Sequence, residues 1–234
     1  MKLKSTTCCI IILLLVLSIF TIPTKVYSKD QKLIYLTFDD GPGYNVTENI
    51  LDILKSENVK ATFFVIGSKI PGRESTLNRM KSEGHSIGLH TYSHEYRKIY
   101  KNNESFINEM NAAGNTIKNV TGISSKIIRF PSGSNGHMNE ALLNELHSMN
   151  YKVFDWNLCL SDGINHNTPV SKLYREGTEK CVNPSRIFLL AHCGAENKNT
   201  CTVLPQIIKY YKNLGYEFRP ITDTTPEYHF RISK

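Results

Sequence analysis

Asp39 and Asp40 stand side by side at the end of an apolar run, in Thr37-Phe38-Asp39-Asp40-Gly41-Pro42, and His90-Thr91-Tyr92-Ser93-His94 follows about fifty residues later. Two histidines and a carboxylate with a position left open for water are the donor set of a catalytic divalent metal. Zinc suits it most readily, and cobalt, manganese or nickel are also accommodated. Successive side chains of a strand point to opposite faces, so one aspartate is expected to hold the metal while its neighbour turns toward a substrate. The four-residue spacing of His90 and His94 would place both on one helical face or around one turn. The pair alone is weak evidence; beside Asp39-Asp40 and a later His192 it points to metal-assisted hydrolysis.

These residues need a frame. Strand-like runs recur at 33–38, 61–66, 86–89, 126–130, 151–154, 186–191 and, weakly, 216–218. Between them helix-period segments cover 46–57, 74–83, 104–120, 138–149, 170–180 and 203–214. The alternation predicts an α/β fold with a mostly parallel sheet: a distorted (β/α) barrel of about seven strands with outer helices. In such folds chemistry sits at the C-terminal strand ends. Asp39 and Asp40 follow the first strand, His90 and His94 the third, Arg129 the fourth, Asp155 the fifth and His192 the sixth, all on one rim.

The 234 residues, 40% of them apolar, suffice for one sizeable core. Lys2 and Lys4 precede an apolar stretch from Cys8 to Phe20 and the small-residue site Val26-Tyr27-Ser28, which reads as a signal peptide over 1–28 or, if uncleaved, a membrane anchor. Residues 29–234 are then one catalytic domain, expected to be secreted or wall-associated and monomeric, touching a membrane only through that segment. Residues 1–28 hold Lys2, Lys4 and Lys25 and no acid, so the formal charge falls from +7 to +4. Without a basic run or basic-aromatic stripe, nucleic acid is not an expected partner. Cys159, Cys181, Cys193 and Cys201 allow one or two disulfides in an exported chain, with pairing open. Gly41-Pro42-Gly43 is a turn, not a phosphate loop. Asp162, in Ser161-Asp162-Gly163, is expected to be a turn residue, and His85, His137, His147, His166 and His229 to be packing or surface residues.

From Lys32 to about Thr222 the chain resembles the NodB-homology polysaccharide deacetylases, carbohydrate esterases of family four. Their TFDD motif stands at Thr37–Asp40 and their H-[ST]-x-x-H motif at His90–His94, both complete. The resemblance implies Asp39 as general base and Asp40, His90 and His94 as metal ligands. The third motif, Arg-x-Pro-[Tyr/Phe]-Gly, reads Arg129-Phe130-Pro131-Ser132-Gly133. It implies that Arg129 holds the base and that the backbone at Ser132 helps bind the oxyanion, with the sugar groove opened where an aromatic is missing. Asp155-Trp156 matches the fourth motif, a carboxylate near the catalytic histidine and an apolar wall. Leu190-Ala191-His192 matches the fifth, implying His192 as general acid, its charged form favoured by Asp155. Leu190 and Trp156 would enclose the acetyl methyl. Cys193, after His192, is either a plain substitution or half of a disulfide with Cys201.

The resemblance implies N-deacetylation of a cell-wall polysaccharide, N-acetylglucosamine in peptidoglycan first. Chitin, poly-N-acetylglucosamine, N-acetylmuramic acid and acetyl-xylan are alternatives. A non-catalytic secreted glycan-binding protein is the alternative of another class, disfavoured by the full set of reactive side chains.

Overall fold

The structure, a computed structural model, describes residues 31–179 and 184–232. Residues 1–28, for which a signal peptide is expected, and Lys180 and Cys181 lie outside the described residues. Among these residues eight strands form one parallel sheet in the order β5-β4-β3-β2-β1-β7-β6, with β8 also paired to β1. The strands are β1 (Leu33–Gly41), β2 (Thr62–Val65), β3 (Ser86–Leu89), β4 (Ile127–Ile128), β5 (Lys152–Val153), β6 (Leu158–Cys159), β7 (Arg186–His192) and β8 (Glu217–Phe218). The helices are α1 (Val46–Ser56), α2 (Glu74–Ser82), α3 (Tyr96–Ile99), α4 (Asn103–Thr121), α5 (Glu140–Ser148), α6 (Val170–Glu179) and α7 (Lys198–Asn213). The seven expected strands are all present; β6 and α3 are additions too short to show a period.

The sheet has two apolar faces, which is why its strands read as continuous apolar runs. Ile34, Leu36 and Phe38 of β1 face the helices and join the large core, to which α1 contributes Ile50, Leu51 and Leu54. Tyr35 faces the other way into a smaller cluster with Phe64, Ile127, Phe154, Phe188 and Ile221, the floor of the half-barrel. Its rings stack, Tyr35 on Phe188 at 4.7 Å.

Among the described residues the ladder ends at β5 on one side and β6 on the other. The barrel is therefore partial, and the seam falls at Phe154–Asn157. Two devices cover it. A single parallel bridge joins Phe154 to Tyr228, and Asn157 exchanges side-chain hydrogen bonds with the backbone of Arg186 and Phe188 on β7.

Helix ends follow local chemistry. The Asn102 and Asn139 side chains accept from Ser105 and Leu142 N–H and cap α4 and α5, and α4 stops at Gly122 in the left-handed region, φ 75°. Helix α7 starts at Lys198, five residues before the predicted start, and carries Pro205 inside it. Its early turn supplies Thr200 to the site.

Candidate active site

An open cleft of about 310 Å³ lies at the C-terminal strand ends. Asp39, Asp40, His90, His94, Ser132, Trp156, Leu190 and His192 line it together with Tyr96, Cys159, Leu160, Gly163 and Ile164. Arg129 and Asp155 are fully buried and do not line it.

Alternation does not explain how Asp39 and Asp40 share this cleft. Tyr35, Thr37 and Asp39 follow one face, so a regular strand would send Asp40 toward the helices with Phe38. The β1–β2 register shifts between Asp39 and Gly41, and Asp40 has φ 68°. This bulge turns its carboxylate back into the cleft. Both carboxylates thus reach the cleft from a single face of the strand.

His90 follows β3, and its backbone N–H donates to Val65 O. Its Nδ1 lies 2.9 Å from Arg129 O. A carbonyl only accepts, so Nδ1 carries a proton and Nε2 is the ring nitrogen turned toward Asp40. His94 reaches the same point from a tight turn, not a helix, in which Thr91 and His94 both take positive φ, 65° and 58°. Glu109 of α4 holds that turn, accepting from Tyr92 N, Ser93 N and Ser93 Oγ at 3.0, 2.7 and 3.0 Å. Glu109 carries no motif, so its role was not visible in the sequence.

Asp40 Oδ1 lies 3.5 Å from His90 Nε2 and 3.3 Å from His94 Nε2. It is buried and has no hydrogen-bond partner. With metal–ligand distances of about 2.0–2.1 Å, tetrahedral ligands lie about 3.3–3.4 Å apart, so the three donors fit a shared divalent cation. Burial alone would raise the Asp40 pKa, but His90, His94 and His192 outweigh it and hold the carboxyl well below its usual range. Burial pushes His94 down to about 4, helped by His90, which keeps it an uncharged donor at neutral pH.

Asp39 is fixed from beneath. Arg129 Nη1 donates to Asp39 Oδ1 at 2.9 Å and to Thr37 Oγ1 at 2.6 Å, Nε to Phe154 O at 2.7 Å and Nη2 to Asp155 O at 3.1 Å. Its guanidinium stands 4.2 Å from the Phe64 ring centroid, so the buried cation is both stacked and hydrogen-bonded.

Beside Asp39 in the ladder, at the end of β7, is His192. Asp162 accepts from His192 N–H and lies 2.8 Å from its Nδ1, while Thr200 Oγ1 donates to Asp162 Oδ2 at 2.7 Å. Burial pulls the imidazole down, but the Asp162 hydrogen bond and charge, with Asp39 and Asp40 beyond, push it up to about 9. A charged imidazole and a carboxylate locked by an arginine thus share one cleft with three donors placed to hold a metal, the equipment of an acyl hydrolase.

The sequence profile described as "Polysaccharide deacetylase" matches residues 27–154. The chain belongs to that family. It is 33% identical over 217 residues to the peptidoglycan-N-acetylglucosamine deacetylase of Bacillus cereus, covering 91% of this chain and 77% of that one. The crystal structure of a Bacillus cereus polysaccharide deacetylase superposes with a TM-score of 0.76 at 32% identity, covering 86% of this chain and 96% of that one. The catalytic domain of a peptidoglycan N-acetylglucosamine deacetylase from Eubacterium rectale gives 0.80 at 29% identity, covering 89% and 96%. The family is one of hydrolases and shares the partial parallel barrel seen here.

One expectation drawn from the deacetylase motifs needs correction. Asp155 does not touch His192: its carboxylate accepts from Ser134 N, Ser134 Oγ and Phe230 N. It ties the Ser132 loop to the C-terminal segment, and Asp162 takes the place beside the imidazole. Asp162 was read as a turn residue, and it does lie in a one-turn 3₁₀ helix (Ser161–Gly163); the turn is what brings it there. Gly163 is required for that approach, since a Cβ at this position would lie 2.2 Å from the His192 ring. Of the two readings left open for Cys193, plain substitution holds, because Cys193 and Cys201 form no disulfide. Cys193 Sγ faces Asp39 O at 3.3 Å, and Cys201 Sγ faces Val46 O at 3.7 Å. Burial raises the Cys193 thiol far above its ordinary pKa, so it stays protonated.

Proposed function

We propose that this chain is an exported, metal-dependent polysaccharide N-deacetylase acting on N-acetylglucosamine in peptidoglycan, with zinc at Asp40, His90 and His94. The observation that carries the reading is one cleft lined by Asp39, held by Arg129, by its charged ladder neighbour His192 and by the Asp40, His90 and His94 donors. Zinc suits two imidazoles and a carboxylate; when bound, it would polarise the acetyl carbonyl and acidify its water. Asp39, oriented by Arg129, accepts the proton of the attacking water. Leu190 and Trp156 enclose the acetyl methyl, while the backbone at Ser132 donates to the developing oxyanion. His192, charged through Asp162, delivers a proton to the departing amine. The C–N bond breaks, and acetate and a free amino sugar are the products.

The printed names of the Bacillus cereus and Eubacterium rectale relatives support peptidoglycan as substrate, and the predicted signal peptide supports export. Among the described residues no helix is long and apolar enough to cross a membrane. The test is mass spectrometry of purified peptidoglycan fragments before and after treatment with metal-loaded residues 29–234, with Asp39→Asn as control. Acetyl loss on glucosamine is the expected result. Loss on muramic acid or only on another polymer would reassign the substrate, and glycan binding without acetate release from any polymer would reassign the class.

A further inference from the structure

Four large apolar side chains among the described residues are exposed: Tyr44, Tyr96, Ile164 and Leu214. Single exposed apolar groups are ordinary, but Tyr96 and Ile164 border the same cleft. Tyr44 has a partner, the Arg73 guanidinium 3.7 Å from its ring centroid. Ile164 is 92% exposed at the end of the turn that carries Asp162.

Tyr96 opens α3, two residues past His94. It stands edge-on to the His94 ring with centroids 5.5 Å apart and planes at 83°. Its hydroxyl accepts from Ser132 Oγ at 2.8 Å. Tyr100, one turn later, packs edge-on to Tyr96 at 5.9 Å and donates to Pro131 O at 2.6 Å. Tyrosines at the start of one short helix and just past its end therefore clamp the Pro131-Ser132 loop, and Tyr96, 45% exposed, remains open to the cleft. The groove expected to be opened by Ser132 acquires an aromatic wall from a neighbouring loop.

We propose that Tyr96, braced by Ser132, and Ile164 are two apolar grips that hold a pyranose ring of the polysaccharide over the metal-binding donors and so govern which sugar is accepted. The inference rests on the polysaccharide reading of the cleft. A pyranose is polar at its hydroxyl edges and apolar on its C–H faces, so a ring pinned through a face needs apolar surface left exposed in the cleft. Tyr96 and Ile164 supply that surface on elements apart from those carrying Asp39 and His192.

The test uses the full chain loaded with metal and N-acetylchitotetraose as probe, with binding followed by calorimetry on an Asp39→Asn background and acetate release on the otherwise native protein. Tyr96→Ala and Ile164→Ser are each expected to weaken binding and raise KM by about fivefold, with kcat changed less than twofold. Tyr96→Phe should stay near native, because the ring and not the hydroxyl makes the grip. Ser132→Tyr added to Tyr96→Ala should recover much of the lost affinity by restoring an aromatic to the same wall. Metal content by mass spectrometry separates a lost grip from a displaced His94, and Ile164→Ser decides the matter if Tyr96→Ala releases metal. Native affinity and KM in both variants, or no oligomer binding by the Asp39→Asn protein, overturns the proposal. If native protein binds the oligomer without releasing acetate while both variants bind weakly, hydrolysis fails and the grips stand.

Discussion

Asp39 and His192 are register partners on adjacent strands, yet the two sides of the cleft are built in opposite ways. The Asp39 side is rooted in the barrel. Its partner, Arg129, is fully buried, stacked on Phe64 and bonded to the backbone of the seam. The His192 side is assembled from three separate elements, a 3₁₀ turn, the end of β7 and an early turn of α7, with Asp162 joining all three. A guanidinium holds the carboxylate in place, and a carboxylate keeps the imidazole a cation. One architecture therefore sets a carboxylate and a charged imidazole side by side, each paired with the other's kind of group.

The strongest blow to this asymmetry is Asp39→Asn. Acetate release should fall by about 10²- to 10⁴-fold while bound metal, measured by mass spectrometry, stays stoichiometric. Arg129→Met strikes the same side from below. It should destabilise the fold by about 3–5 kcal/mol in urea unfolding, because Asp39 and the Phe154 and Asp155 carbonyls lose their buried partner. A variant of native stability would show that the anchoring is not where this geometry puts it.

Asp162→Asn tests the other side, with a smaller loss of about 10- to 100-fold in kcat/KM. Without the carboxylate, burial is left to lower the His192 pKa, so the basic limb of the pH profile should move to lower pH. The linked stability has the same sign. A histidine raised from 6.5 to about 9 contributes fully below 6.5, and the contribution is lost as pH rises through 9. Asp155→Asn sharpens the contrast: it should loosen the Ser134 and Phe230 contacts and lower the thermal midpoint, yet leave the basic limb in place. A limb that moved with Asp155 and not with Asp162 would reverse the assignment.

Gly163→Ala is the smallest change. Its Cβ meets the imidazole itself, so His192 or the turn must shift by some tenths of an ångström. The expected outcome is a severalfold loss in kcat with metal content unchanged, read from steady-state acetate release.

The amino-acid sequence alone determined which donors exist and the order in which the chain delivers them. Apolar runs alternating with amphipathic segments place Asp39, Asp40, His90, Arg129 and His192 after successive strands, because strand and helix periods are local properties. Side-chain direction at a strand end is not local. Asp40 enters the cleft only through a bulge created by the β1–β2 register, and sequence alternation points it the wrong way. Choice of partner is also a tertiary matter. Asp155 and Asp162 are both carboxylates near a strand end, and neither sequence nor spacing separates them. The fold does, because the barrel seam buries Asp155 against Ser134 and Phe230, while a turn after the unpredicted strand β6 carries Asp162 to the imidazole.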